Sequence, residues 1–446
     1  MIQSIGPLMY NIGNALHDVV DLLILTKAFG QDYIQIPTFS SIVRFLIRCF
    51  SVYFSNAASA KIPSLIGARR HKEAEQVITD LFRLTLIFLI IIPILFLFIS
   101  KPLLKFMGCS DSIADKSFQY LLPVIICGPF TGFYQMGCGF LQSEGLSITN
   151  GAMQLFAFIL NCCFFSPILF FLIKVDSSFS GLPFALSQVV PSIVLFILIY
   201  RGKFSLKPTL RSWRNGFSKE TFDALKLSSP FILNVLAGTI PPILLMNYLM
   251  KAANAIGVPA EAASGFSLFL KIQTFVNSFS LGINQALLTT GRYSYGSNNL
   301  RRLLKLFVSS ILVSLTIVLA FMPPLYAKTD KIVSIWISDE MPQSYHEYAI
   351  KMLRIPFYTN FVYAVNDAIT SLVLSANFPV LGMIPSIVRA IVLLASSLLL
   401  YYTNQKDPVR MMFTFCISDG AVLLTDLLIL IKPMMKIRRE IREYLM

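Results

Sequence analysis

The feature that most constrains this chain is a succession of long apolar stretches, which run almost from the first residue to the last. A helix needs about 20 apolar residues to cross a hydrocarbon core about 30 Å thick. Twelve stretches reach this length. With edges good to about four residues, they lie at 5–27, 36–59, 82–104, 118–142, 150–173, 180–200, 228–250, 262–288, 303–325, 350–374, 380–402 and 410–431. The pattern predicts an all-α integral membrane protein with twelve transmembrane helices.

The composition excludes a water-soluble protein. Only 13% of the 446 residues are charged, whereas soluble domains carry about 25%. The 7 cysteines form no C-x-x-C pair and lie mostly within the apolar stretches, so neither a disulfide framework nor a zinc site is expected. We therefore expect no bound cofactor and no resident metal, with sodium possible only as a transported ion.

Basic residues are distributed unevenly among the predicted loops. More than half of the 37 Lys and Arg residues fall after spans 2, 6 and 8 and in the tail after span 12. Short loops rich in Lys and Arg remain on the cytoplasmic side, so both termini are predicted to be cytoplasmic, in the plasma membrane. This topology accounts for most of the net charge of +14, and no nucleic-acid partner is expected.

The two halves of the sequence resemble each other. Gly67-Ala-Arg-Arg-His-Lys precedes span 3 as Gly296-Ser-Asn-Asn-Leu-Arg precedes span 9, about half the chain later. Such spacing indicates a duplicated unit. Because each unit has six spans, the halves form a parallel repeat with a pseudo-two-fold axis along the membrane normal. The predicted domains are a six-helix bundle at 1–200, a basic cytoplasmic linker at 201–226, and a second bundle with a basic tail at 227–446. Such repeats are frequent in transporters, although channels and membrane enzymes can also be duplicated.

Several motifs resemble one known family. They are Asn14-Ala-Leu-His-Asp-Val-Val-Asp21, the segment from Ala57 to Glu75, Phe106-Met-Gly-Cys-Ser, Gln142-Ser-Glu-Gly145, and Gly282-Ile-Asn-Gln followed by Tyr293-Ser-Tyr-Gly-Ser-Asn-Asn299. In this order they are similar to the multidrug and toxic compound extrusion (MATE) transporters.

The resemblance implies two six-helix bundles around a central cavity. It also implies export of organic cations or other amphiphiles by alternating access, driven by inward flow of protons or sodium. The expected partners are a small organic substrate and the lipid bilayer, and the protein is expected to be a monomer and no enzyme. A lipid-linked oligosaccharide or lipid flippase of the same superfamily is the alternative, followed by a membrane-embedded enzyme.

Span 1 carries an unusual set of polar residues for a membrane helix. Asn14, His17, Asp18 and Asp21 are spaced to form one stripe on a helix. Ionisable groups inside a span are costly and usually face a cavity or a partner. The resemblance makes Asp21 the first-helix carboxylate linked to cation coupling. A structural salt bridge from Asp21 to Arg44 or Arg48 is the alternative.

The family's N-terminal cation site also draws on span 5, where this chain keeps Asn161. The acid expected about one turn later is missing, and Ser166 offers only a hydroxyl there. One hypothesis is that Asp18 replaces the lost acid, so that Asp21, Asp18, His17, Asn14 and Asn161 are the candidates for cation coupling.

Span 10 carries Asn366 and Asp367 near its middle. The resemblance places Asp367 at a carboxylate of the sodium-coupled branch, but the acid of that branch in span 7 is absent. Asp367 is therefore predicted to accept a proton or to balance a cationic substrate, and a buried pair with Lys271 or Arg389 is the alternative. Candidates for this substrate or second cation site are Asp367, Asn366, Lys271 and Gln285.

Overall fold

The fold is known from a computed structural model that describes residues 2–67, 69–201, 216–296, 299–337, 341–376, 378–403 and 407–443. The described residues form helices and connecting turns, without a β-strand. The α-helices are α1 Ile2–Phe29, α2 Ile36–Gly67, α3 His71–Phe106, α4 Asp111–Ile126, α5 Gly128–Ser143, α6 Ser147–Ile159, α7 Leu182–Tyr200, α8 Lys219–Ala255, α9 Pro259–Gly296, α10 Leu300–Ala327, α11 Thr329–Trp336, α12 Gln343–Phe357, α13 Asn360–Ser375, α14 Pro379–Thr403 and α15 Phe413–Glu443. Most of the predicted linker, 202–215, lies outside the described residues, together with its Lys203, Lys207, Arg211 and Arg214.

Each of the twelve predicted spans overlaps one or two of these helices, and the prediction of an all-helical membrane protein is confirmed. Within the described residues, seven single segments are long and apolar enough to cross a membrane, and a bent pair, α4 with α5, brings the number to eight. The seven are Ile36–Pro63, His71–Phe106, Ser147–Leu172, Ser177–Ile199, Leu300–Ala327, Pro379–Thr403 and Arg410–Ile441. Helices α1 and α9 are also long, but they carry buried polar groups such as Asp21 and Lys271.

Two predicted spans are broken in the middle. Span 4 is divided at Cys127 into α4 and α5, which meet at 60°. Span 10 is divided at 358–359 into α12 and α13. A proline follows Gly128 in the first turn of α5, and Pro356 lies at the end of α12. Proline cannot donate a backbone hydrogen bond and disfavours helix at the residue before it, which accounts for the break before α5, whereas Pro356 only lies close to the break at 358–359.

Span 5 is continuous but locally wound more widely than an α-helix. After α6, residues Leu160–Phe165 and Ile168–Leu172 are π-helical. A π-helix has i→i+5 hydrogen bonds and usually appears as a short insertion, frequently at functional sites. This winding changes which side chains of the span share a face.

The chain divides into two compact units, which we call the N-terminal unit (Val20–Val235) and the C-terminal unit (Met1–Val19 with Leu236–Met446). The division falls within α1 and within α8, whereas the predicted domains meet at 200 and 227. In the N-terminal unit, α2 packs against α3, α4 and α5, and α5 packs against α7. In the C-terminal unit, α9 packs against α10, α12 and α13, and α15 packs against α13 and α14.

Close helix contacts in the N-terminal unit depend on glycine. A Cβ atom on Gly139 of α5 would lie 2.1 Å from Oγ and 2.6 Å from Cα of Ser55 on α2. The hydroxyl of Ser59, one turn further along α2, donates to the carbonyl of Gly139 at 3.1 Å. The two backbones therefore approach closely, as they do where small residues line membrane helix contacts.

Candidate ion-binding sites

The Asp21 carboxylate is buried within the N-terminal unit, with 3% of the residue exposed. The Tyr120 hydroxyl on α4 donates to Oδ2 of Asp21 at 3.1 Å, and Nδ2 of Asn161 donates to Oδ1 at 3.1 Å. Each carboxylate oxygen thus accepts a hydrogen bond from a neutral donor.

Arg44 of α2 reaches this site through Tyr120. Its Nη1 donates to the Tyr120 hydroxyl at 3.2 Å, and its guanidinium lies over the ring of Phe184 at 4.2 Å. Asp21 and Arg44, which the sequence suggested as a direct salt bridge, are therefore both linked to the hydroxyl of Tyr120.

Asn161 lies in the π-helical segment of span 5 and is fully buried. Ser166 donates to Oδ1 of Asn161 at 3.1 Å, which directs the amide nitrogen towards Asp21. The structure thus brings together Asp21 and Asn161, two of the five residues that the sequence placed in one site. It also gives Ser166 a place in that site, as an orienting group for Asn161.

The other polar residues of span 1 belong to the C-terminal unit. The carboxylate of Asp18 lies 3.8 Å from Nζ of Lys271 on α9, which is buried. His17 is also buried, and Asn14 is half-buried. Gln285, another candidate, accepts a hydrogen bond from Asn11 at 3.0 Å.

Asp367 lies on α13 of the C-terminal unit, where Nδ2 of Asn284 on α9 donates to it at 3.0 Å. Ser310 of α10 donates to Oδ1 of Asn284 at 2.6 Å and orients that amide. The neighbouring Asn366 points elsewhere, because its Nδ2 donates to the backbone carbonyl of Asp419 at 3.2 Å. Lys271, one of the two basic residues considered as partners for Asp367, contacts Asp18 instead.

The second of those basic residues, Arg389, pairs with an acid that the sequence analysis missed. Its Nη2 lies 3.4 Å from Oδ1 of Asp419 on α15, and Thr359 donates to Oδ2 of Asp419 at 3.1 Å. Asp426, seven residues further along α15, is fully buried and was also missed. The sequence did contain a signal for these two acids. They lie seven residues apart within the apolar stretch 410–431, and that spacing puts them on one helix face.

Neither unit concentrates ligands for a metal. Across the described residues, no three His, Cys, Asp or Glu side chains converge in an arrangement that could hold a metal ion. The polar sites instead pair single carboxylates with amides and hydroxyls.

Comparison with known proteins identifies the family of this chain. The family described as MatE matches residues 18–166 and 243–398, which together make up more than half of the chain. The chain belongs to the MatE family. It is therefore a multi-pass membrane protein of a transporter family and not an enzyme, as the sequence predicted. Among curated proteins, no sequence matches the chain.

Solved structures of MATE transporters share the fold across nearly the whole chain. An inward-facing multidrug resistance MATE family transporter of the MOP superfamily is 18% identical, with a TM-score of 0.80 and coverage of 98% of this chain and 99% of the other. An outward-facing structure with the same description is 17% identical, with a TM-score of 0.82 and coverage of 98% and 95%. A MOP superfamily transporter from Pyrococcus furiosus Vc1, described as having a binding pocket of reverse polarity that suggests a different function, has the same identity, TM-score and coverage as the outward-facing structure.

Proposed function

We propose that this MatE-family protein is a proton-coupled antiporter that exports small organic cations or amphiphiles by alternating access. The observation that supports it most directly is the environment of Asp21, a buried carboxylate within hydrogen-bond distance of the neutral donors Tyr120 and Asn161. Buried carboxylates inside membrane spans commonly serve as proton relays in transporters. Solved relatives in inward-facing and outward-facing forms support alternating access as the transport cycle.

The choice of a proton over sodium rests on the groups that surround Asp21. A hard cation such as sodium is best bound by several oxygen ligands. The Tyr120 hydroxyl and the Asn161 amide nitrogen instead direct hydrogen atoms at the two oxygens of Asp21, and Ser166 holds the Asn161 amide in that orientation. These contacts place hydrogen-bond donors, and not a shell of oxygen ligands, around the carboxylate.

A positively charged substrate is supported by Asp367. Its side chain is only partly buried, and its hydrogen-bond partner Asn284 is neutral. A carboxylate of this kind can balance the charge of an organic cation. The basic loops support an orientation with both termini cytoplasmic, and we propose that the chain works as a monomer in the plasma membrane.

The proposal can be tested with purified protein in liposomes loaded with ethidium, an organic cation. Ethidium export should accelerate when an inward-directed proton gradient is imposed, and a sodium gradient of equal size should have no effect. Asp21→Asn should abolish the response to the proton gradient. Asp115→Asn, which changes an exposed acid at the start of α4, is the matched control and should behave like the wild type.

Two outcomes would contradict the proposal. If export responds to a sodium gradient but not to a proton gradient, the proposed coupling ion is wrong. If Asp21→Asn responds to the proton gradient as strongly as the wild type does, Asp21 is not part of the coupling site.

A further inference from the structure

Helix α15 carries a buried acid that the proposed transport cycle does not use. Asp426 is fully buried within the C-terminal unit. Its Oδ1 accepts a hydrogen bond from Thr370 of α13 at 3.4 Å, and its Oδ2 is buried without a hydrogen-bond partner. An orphaned carboxylate oxygen inside a membrane helix is unusual, because an unsatisfied buried charge is far more costly than an unsatisfied neutral group.

The charges near Asp426 do not balance it. Helices α10, α12, α13 and α14 pack against α15, and the charged groups that act on Asp426 are Arg389 of α14 and Asp367 of α13. Arg389 is already engaged by Asp419, with 3.4 Å between Nη2 and Oδ1. The guanidinium that could offset a charge on Asp426 is thus already paired with another acid, and an ionised Asp426 would be a buried charge without a partner of its own.

We propose that Asp426 is a proton-binding site, and that it holds a proton while Arg389 is paired with Asp419. The proton comes from water and binds to Oδ2 of Asp426, so the side chain becomes neutral and no other bond changes. The site lies in the C-terminal unit, is separate from Asp21, and does not depend on the proposed coupling through Asp21.

Infrared spectroscopy of the purified protein near neutral pH measures the protonation state directly, without a transport assay. A protonated carboxyl group has a carbonyl band that shifts in heavy water, whereas an ionised group has carboxylate bands instead. The spectrum of the wild type minus that of Asp426→Asn should contain the carbonyl band of one carboxyl group per chain. If the difference contains carboxylate bands instead, Asp426 is ionised and the proposal is wrong.

A second variant keeps the acid and tests the same assignment if Asp426→Asn folds poorly. Thr370→Val removes the hydroxyl that donates to Asp426, so the carbonyl band should remain and move to higher frequency. A band that does not move would mean that it belongs to another acid. Asp21→Asn should leave this band unchanged even if it abolishes coupled transport, which separates the failure of this proposal from the failure of the proposed function.

Discussion

Nδ2 of Asn161 lies 3.1 Å from Oδ1 of Asp21, and it reaches this position from a π-helical segment. The wider winding lets Asn161 and Ser166, which are five residues apart, contact each other within one span at 3.1 Å. In an α-helix, side chains three or four residues apart are the neighbours. The local winding of span 5 therefore determines which group meets the carboxylate of span 1.

We expect Asn161→Leu to reduce the free energy of unfolding by about 1–3 kcal/mol, because it removes a donor from a buried carboxylate. The measurement is thermal or denaturant unfolding of the purified protein in detergent. Cys163→Leu is the control, since Cys163 lies in the same π-helical segment but is exposed, and it should change stability little. Equal stability of the two variants would mean that the hydrogen bond to Asp21 is not important for the fold.

Asp80 of α3 contacts the start of α8. Among the acids at this contact, we expect its removal to destabilise the protein most. It is fully buried, and its Oδ2 accepts hydrogen bonds from the Ser218 backbone nitrogen at 2.9 Å and the Thr221 hydroxyl at 2.8 Å. Asp80→Ala removes the acceptor of the Ser218 backbone nitrogen and one of the partners of the Thr221 hydroxyl, and it should cost about 2–4 kcal/mol of unfolding free energy. Asp223→Ala, at a half-exposed acid in α8, should cost much less when unfolding is measured in the same detergent.

Glu220 should contribute a small stabilisation that depends on pH and salt. Its carboxylate lies 2.6 Å from Nζ of Lys61 and 2.8 Å from Nη2 of Arg70. The hydrogen bond from Lys61, followed by that from Arg70, holds the pKa of Glu220 below its ordinary value of 4.5. Because the folded pKa is the lower one, this stabilisation is fully present above about pH 4.5 and is lost as the pH falls through the folded value.

The check is to compare the melting temperatures of the wild type and Glu220→Gln at neutral pH and at acidic pH. The wild type should melt slightly higher at neutral pH. The difference should shrink on acidification and at high salt, which screens exposed charges. A difference that grows on acidification would mean that Glu220 is stabilising in its protonated form.

Gly139→Ala should destabilise the N-terminal unit, since its new Cβ would collide with the backbone of Ser55. Overpacking of this kind costs about 1–3 kcal/mol. Gly420→Ala is the matched control, because a Cβ on Gly420 of α15 meets nothing within 4 Å. A melting temperature of Gly139→Ala equal to that of the control would show that α2 and α5 separate without cost.

Hydropathy predicted where the helices lie but not how they are interrupted. The stretch 118–142 stays apolar through Cys127, so hydropathy does not show that span 4 bends by 60° there, and the local signal was the proline after Gly128. The π-helical winding of 160–165 is equally invisible, because it depends on the hydrogen-bond pattern and not on the period of apolar residues. Length and polarity determine that a segment crosses the bilayer, whereas packing against neighbouring helices determines its local path.

The candidate site was predicted in part for the same reason. The resemblance placed Asp21 and Asn161 in one site, and the structure brings them together. It could not identify Tyr120, since a single tyrosine in an apolar stretch is a common residue there and only the fold brings its hydroxyl to Asp21. Asp18 was predicted to replace a missing acid in the N-terminal half, but it lies beside Lys271 of the C-terminal unit. The role of each candidate in coupling remains a prediction.

The breaks at Cys127 and at 358–359 occur at corresponding places in the two halves of the chain. The two spans therefore share an interrupted path but not their charges, because α13 carries Asp367 after its break where α5 carries the uncharged Gln135. A helical framework repeated in outline thus offers each half of the chain a place for a different polar group.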